Sequence, residues 1–158
     1  MNNNDILRRL RFALDLSDPR LAEIFALGGI ELTPLQARAR LGREEDEGAV
    51  FCENAELEGF LDGLIVERRG PPPQGRGPSP WPMPLTNNEV LKKLRIALKL
   101  RNDDILEMLA AGGQPMGKAE LSAIMRRPDH RHFRLCGDQA LRKFLAGLSQ
   151  RLRPDAAG

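Results

Sequence analysis

The sequence has no tyrosine, one tryptophan, two cysteines and two histidines in 158 residues, and aromatic residues make up 4% of it. Each scarcity removes a class of explanation. Two cysteines, Cys52 and Cys136, do not make the disulfide framework of a small secreted domain. They read as buried thiols of a reducing compartment, with a bridge between them left open. No apolar run approaches the ~20 residues needed to cross a bilayer. The start, MNNNDILRRL, threads charge through its apolar positions and lacks a small-residue cleavage site, so it does not read as a signal peptide. A cytoplasmic protein is expected. There is no strand-like alternation, no nucleophile elbow, no phosphate-cradling glycine loop and no HExxH. We therefore expect no enzyme, no cofactor and no small-molecule substrate.

What the chain does have is a repeat. NNDILRRLRFALDLSDPRLAEIFALGG, from Asn3 to Gly29, returns as NNEVLKKLRIALKLRNDDILEMLAAGG, from Asn87 to Gly113, each residue meeting the one 84 further on. The register holds without a gap to the far end: Cys52 meets Cys136, and Phe60, Leu61, Gly63 and Leu64 meet Phe144, Leu145, Gly147 and Leu148. Self-similarity on this scale governs the fold. A unit of about 65 residues buries only about 60% of its unfolded surface, so the copies are expected to pack on each other or on a second chain. We divide the chain into repeat one (1–70), a Pro/Gly-rich linker (71–85), repeat two (86–153) and a disordered tail (154–158).

Within repeat one, Ile6, Leu7, Leu10, Ala13 and Leu14 recur at helical spacing behind Asn4, a candidate N-cap. Asp18 as cap and Pro19 at the first position announce a second helix burying Leu21, Ile24, Phe25 and Leu27, closed by Gly28 and Gly29. Thr33 and Gln36 are spaced as a capping box for a short third helix carrying Leu35, Ala39 and Leu41. A last helix starts near Asn54 and carries Leu57, Phe60, Leu61, Leu64 and Ile65. Repeat two follows the same plan, with Asn102 capping its second helix and Gly117 with Glu120 opening its third. The expected fold is all-α: two pseudo-equivalent repeats of about four helices, packed into one compact helical body. The linker, with seven prolines between Gly70 and Leu85, should be an extended strap. Trp81 within it fits either a surface anchor or a solvated side chain. Gly63 and Gly147 stand mid-helix, each costing ~1 kcal/mol relative to Ala, which points to close backbone approach.

Charge divides unevenly: residues 1–70 carry 9 Lys/Arg against 14 Asp/Glu, and residues 86–158 carry 14 against 8. Such asymmetry speaks of association, with a polyanion or between unlike copies. In repeat two, Lys92, Lys93, Arg95, Lys99, Arg126 and Arg127, followed by Arg131 and Arg134, are a candidate binding patch for phosphates. His130, His132 and Cys136 have zinc-type side chains, but HxHxxxC lacks a fourth ligand and its equivalents in repeat one are Asp46, Gly48 and Cys52, so no metal is expected. Glu44 to Glu47 read as a solvated acidic edge rather than a calcium loop. Leu21 to Arg43 fits a helix-turn-helix poorly: the turn is long, and Ser122 and Ile124 stand where repeat one has Arg38 and Arg40.

Taken together, the paired NNDILRRLRFAL and NNEVLKKLRIAL, with ALGGIELTP, FLDGLIVERRG and RRPDHRHFRLCGDQALRKFLAGL, resemble the YehS-like bacterial proteins, whose repeat is a domain of unknown function (DUF1456). The resemblance covers nearly the whole chain outside the linker and tail. It implies a tandem-repeat bacterial cytoplasmic protein and carries no activity, substrate or catalytic residue. It makes Glu44, Glu45 and Cys52 in repeat one, and Asp129, His130, Phe133, Cys136 and Asp138 in repeat two, recognisable positions without a role. The leading expectation is a non-enzymatic module that binds a protein or itself. The alternative is RNA or DNA binding through the basic second repeat.

Overall fold

The computed structural model describes residues 1–71 and 85–157. The strap expected of the linker and the placing of Trp81 fall on 72–84, outside the described residues. Eight α-helices are formed: α1 Asn3–Leu14, α2 Asp18–Leu27, α3 Pro34–Ala39, α4 Asn54–Arg69, α5 Asn87–Ala97, α6 Asn102–Ala111, α7 Lys118–Met125 and α8 Asp138–Leu152. Among the described residues there is no strand, and no helix is long and apolar enough to cross a membrane. Each repeat thus contributes its expected set of helices in the expected order. The segment Pro154–Ala157, expected to be disordered, forms a short 3-10 helix against α8.

Several helix starts differ from the sequence reading. α1 is capped by Asn2, whose side chain accepts from the Asp5 N–H (2.9 Å) while the Asp5 carboxylate accepts from the Asn2 N–H (3.2 Å). Asn4 does something else. It is buried, donating to the carbonyls of Gly42 and Val50 (both 3.0 Å) and accepting from the Cys52 N–H at 2.7 Å. One amide group offers two donors and an acceptor in a plane, the complement of a loop presenting two carbonyls and an N–H. Asn88 repeats this clamp on Ile124, Arg134 and Cys136, at 3.0, 2.8 and 2.8 Å. The neighbouring Asn3 and Asn87 donate to the Cys52 and Cys136 carbonyls, both at 3.0 Å. The NN pair at the head of each repeat therefore ties α1 or α5 to the loop before the last helix. Ser17, not Asp18, caps α2. At α6 Asn102 lies inside the helix, and the Asp104 carboxylate instead accepts from the Arg101 N–H (2.8 Å).

The mid-helix glycines explain the tightest packing. A Cβ placed on Gly63 of α4 would lie 1.8 Å from the Ile24 carbonyl oxygen of α2, and one on Gly147 of α8 would lie 1.9 Å from the Met108 oxygen of α6. Gly28 and Gly112 at the ends of α2 and α6 are pressed as closely, 1.6 and 2.0 Å from the oxygens of Gly59 and Lys143. The crossings lie within each repeat. The first helices pack between repeats: α1 lies mainly on α8, and α5 on α4. The repeats are interlocked, and their buried side chains form one contiguous core. Leu27, expected to be buried, is solvent-facing, and Leu35 on α3 is 75% exposed. On so short a helix Ala37 is the residue that turns inward.

Two substitutions separate these roles. Asn4→Ala removes three buried hydrogen bonds and should lower unfolding free energy by about 3 kcal/mol, against ~1 kcal/mol for the cap Asn2→Ala. Gly63→Ala gains helix propensity, yet should cost about 2 kcal/mol or more because two backbones must separate. Urea unfolding of the variants checks both; a stabilising Gly63→Ala would refute the close crossing.

Candidate functional site

The sequence-derived patch is distributed over several places. Lys92 donates to the Arg126 carbonyl (3.0 Å) and lies 3.8 Å from Glu89. Lys93 pairs with Asp62 of α4 at 2.5 Å, and Arg127 with Asp129 at 3.3 Å. Arg95 is exposed on α5. Lys99 ends α5 at φ +55°, as its equivalent Asp15 ends α1 at φ +54°. Both line a cleft of about 740 Å³, together with the equivalent pairs Leu14 and Leu98, and Arg68 and Leu152. That cleft therefore lies at the junction of the two repeats. Arg151 within it is held by Asp104 (3.2 Å) and Glu107 (2.6 Å), and Arg153 lies 3.9 Å from Asp15.

The recognisable motif positions serve different purposes. Cys52 and Cys136 are buried and unpaired. Burial, reinforced by the Glu56 charge, pushes the Cys52 thiol up to about 12. Burial and the Asp138 charge push Cys136 up to about 11. Asp138 accepts from Asn87 (2.8 Å) and faces the Met1 amine (3.3 Å), and these partners hold its carboxyl below its ordinary value. His130 and His132 are exposed; His130 Nδ1 accepts from the His132 N–H (3.0 Å), and Arg131 Nε donates to His132 Nε2 (3.1 Å). Among the described residues no three His, Cys, Asp or Glu side chains converge as metal ligands would. Glu44 and Glu45 are exposed and line a shallow cleft of about 550 Å³ beside Asp5, Arg8 and Arg43.

Two further clefts involve residues the sequence reading passed over. One, about 760 Å³, lies between α7 and the following loop, lined by Ala119, Ser122, Ala123, Arg126, His132, Phe133 and Arg134. Its equivalent in repeat one carries a larger side chain on α3, while Gly42, Gly48 and Ala49 stand where repeat two has Arg126, His132 and Phe133. Leu35 replaces Ala119 and Val50 replaces Arg134, and Val50 is tied to α3 by its N–H on the Ala39 oxygen (3.0 Å). Leu35, Val50 and Phe51 are all exposed there, beside the acidic run Glu44–Glu47. The other, about 510 Å³, lies between α1 and α8, with Arg8, Arg9, Arg43 and Arg153 around Phe12. In none of these four clefts does a His or Cys stand with a carboxylate, the arrangement acid–base or nucleophilic chemistry would use.

The two interlocked repeats coincide with two matches to one family model, a protein of unknown function (DUF1456), over residues 3–70 and 87–153. The chain belongs to the DUF1456 family. It is 44% identical over 151 residues to the uncharacterized protein YehS of Escherichia coli (strain K12), covering 96% of each chain. No solved structure matches it. The family boundaries fall where α1 and α5 begin and just past α4 and α8, so a DUF1456 repeat is one four-helix unit whose first helix is lent to its neighbour.

The thiols allow a pH test with a fixed sign. A thiol near 9.0 when unfolded and near 12 or 11 when folded stabilises the fold fully below pH 9, and that contribution is lost as pH rises through the folded values. Stability should decline above about pH 9, less steeply in a Cys52→Ala, Cys136→Ala variant. An identical alkaline limb in both proteins, or rapid alkylation of native protein at neutral pH, would contradict their burial.

Proposed function

We propose that this DUF1456 protein is a non-enzymatic binding module that associates with itself head to tail, the α3 end of repeat one entering the α7 cleft of repeat two on a second copy. The observation that carries this reading is the mismatch between equivalent ends of the repeats. Repeat one presents an apolar projection, with Leu35 75% and Phe51 53% exposed. Repeat two has a recess floored by small residues, Ala119, Ser122 and Ala123. Charge matches the same pairing: Glu44 to Glu47 follow the projection in the chain, while Arg126 and Arg134 line the recess. Leu135, the counterpart of Phe51, is likewise exposed, at 70%. Burial of such side chains drives association, and opposed charge sets its orientation.

The buried, high-pKa thiols and the lack of a nucleophile beside a base in the clefts support a non-enzymatic role. Nucleic-acid binding through Lys92, Lys93 and Arg95 draws less support, because Lys92 and Lys93 are engaged by Arg126, Glu89 and Asp62.

A head-to-tail contact does not close on itself in pairs unless the rotation forms a ring, so its size grows with concentration. Light scattering behind size exclusion should show mass rising with protein concentration and falling with salt. Leu35→Asp spoils only the projection and Arg134→Glu only the recess, so each alone should be monomeric and their mixture should form a dimer through the one intact contact. A mixture that stays monomeric, or wild-type protein that is monomeric at every concentration, would overturn the proposal.

A further inference from the structure

The α1–α8 groove and its pseudo-symmetric twin, between α5 and α4, began as the same surface and now differ in one decisive respect. In the twin, Lys93 is neutralised by Asp62 at 2.5 Å. In the α1–α8 groove Arg9 replaces Lys93, and Ala146 replaces Asp62. No carboxylate lines this groove, which carries four arginines around Phe12. Arg127, equivalent to Arg43, is likewise paired, with Asp129 at 3.3 Å. Among the described residues Arg9 and Arg43 have no salt bridge. The walls have changed in the same sense: Ser149 and Gln150 stand where α4 has Ile65 and Val66.

The remaining cations are held in place. Arg8 donates to the Leu41 carbonyl (2.6 Å) and pairs with Asp5. Arg153 donates to the Phe12 carbonyl (3.1 Å) and lies over the Phe12 ring, its Cζ 4.5 Å from the centroid. This guanidinium is ordered by the ring beneath it. Stacking on an arginine plane or an aromatic ring, with phosphates held by nearby guanidiniums, is how unpaired bases are taken up without sequence reading.

We propose that the α1–α8 groove binds single-stranded nucleic acid, Arg9 and Arg43 holding phosphates while a base stacks over the Arg153–Phe12 pair. Ser149 offers a hydrogen bond to a base edge, and so does the Gln150 amide oxygen, its Nε2 donating to the Ala111 carbonyl (3.3 Å). An acidic peptide would satisfy the charges but would leave the stacked pair and the polar wall unused. The site uses none of Leu35, Val50 or the α7 recess, although its Arg8 and Arg43 also border the cleft lined by Glu44 and Glu45, and its test does not require the head-to-tail association.

The test is fluorescence anisotropy of a labelled single-stranded oligouridylate titrated with the full-length protein. Affinity should fall with salt at a log–log slope of about −1.4, for roughly two phosphate contacts on a single strand. Ala146→Asp, which copies the twin groove's carboxylate beside Arg9, should weaken binding roughly tenfold or more, as should Arg9→Ala with Arg43→Ala. Arg95→Ala with Lys99→Ala should leave it unchanged, and Leu35→Asp, which breaks the head-to-tail contact, should also bind normally. Circular dichroism confirms that each variant is folded. No binding at low salt, equal binding by Ala146→Asp, equal loss with the Arg95 and Lys99 pair, or competition by polyglutamate in preference to unlabelled oligonucleotide would overturn the proposal.

Discussion

The structure depends on four glycines that let helix backbones touch. Where Gly63 meets the Ile24 carbonyl and Gly147 meets that of Met108 there is no room for a side-chain carbon, so α2 with α4, and α6 with α8, are rigid pairs whose relative placement cannot drift. A pair so close offers little apolar surface between its own axes. The remaining faces of α4 and α8 must be covered from elsewhere, and the helices that cover them are α5 and α1 of the other repeat. The buried asparagines complete the arrangement by fastening each lent helix to the loop of its own repeat. Interlocking thus follows from close crossing: a small unit that cannot finish its own core finishes its twin's.

Duplication then gives every surface a counterpart, and the differences between counterparts are where the chemistry has diverged. An ion pair closes one inter-repeat groove and an alanine opens the other. Leu35 projects where Ala119 lines a recess. Net charge follows the same division, acidic in repeat one and basic in repeat two. These contrasts are local, while the core positions, the buried thiols and the asparagine clamps are kept in both copies.

The repeat, the helical class, the order of helices and the close glycine contact were all legible, because periodicity and matching offsets survive in a single chain. The function of Asn4 was not. An asparagine ahead of an apolar stripe looks like a cap, and only the folded loop reveals that Gly42, Val50 and Cys52 converge on it. Which face of α3 turns inward was not legible either, because a six-residue helix is too short for its stripe to define one: Ala37 is buried and Leu35 exposed. The exchange of first helices was hidden because either partner satisfies the same apolar pattern. Counting basic residues along α5 cannot say which of them are paired: Lys92 and Lys93 are, whereas among the described residues Arg95 and Lys99 are not. Aligning Arg9 with Lys93 and Ala146 with Asp62 holds that information, but only once the helices are known to meet.

Interlocking is tested most directly by separating the repeats. Residues 1–70 and 86–153 should be prepared individually and followed by circular dichroism during heating, alone and mixed. If each repeat needs the other's first helix, neither fragment melts cooperatively by itself, and mixing restores a sharp transition. A fragment 1–70 that unfolds cooperatively near the temperature of the whole chain would show that a repeat completes its own core, contradicting the exchange.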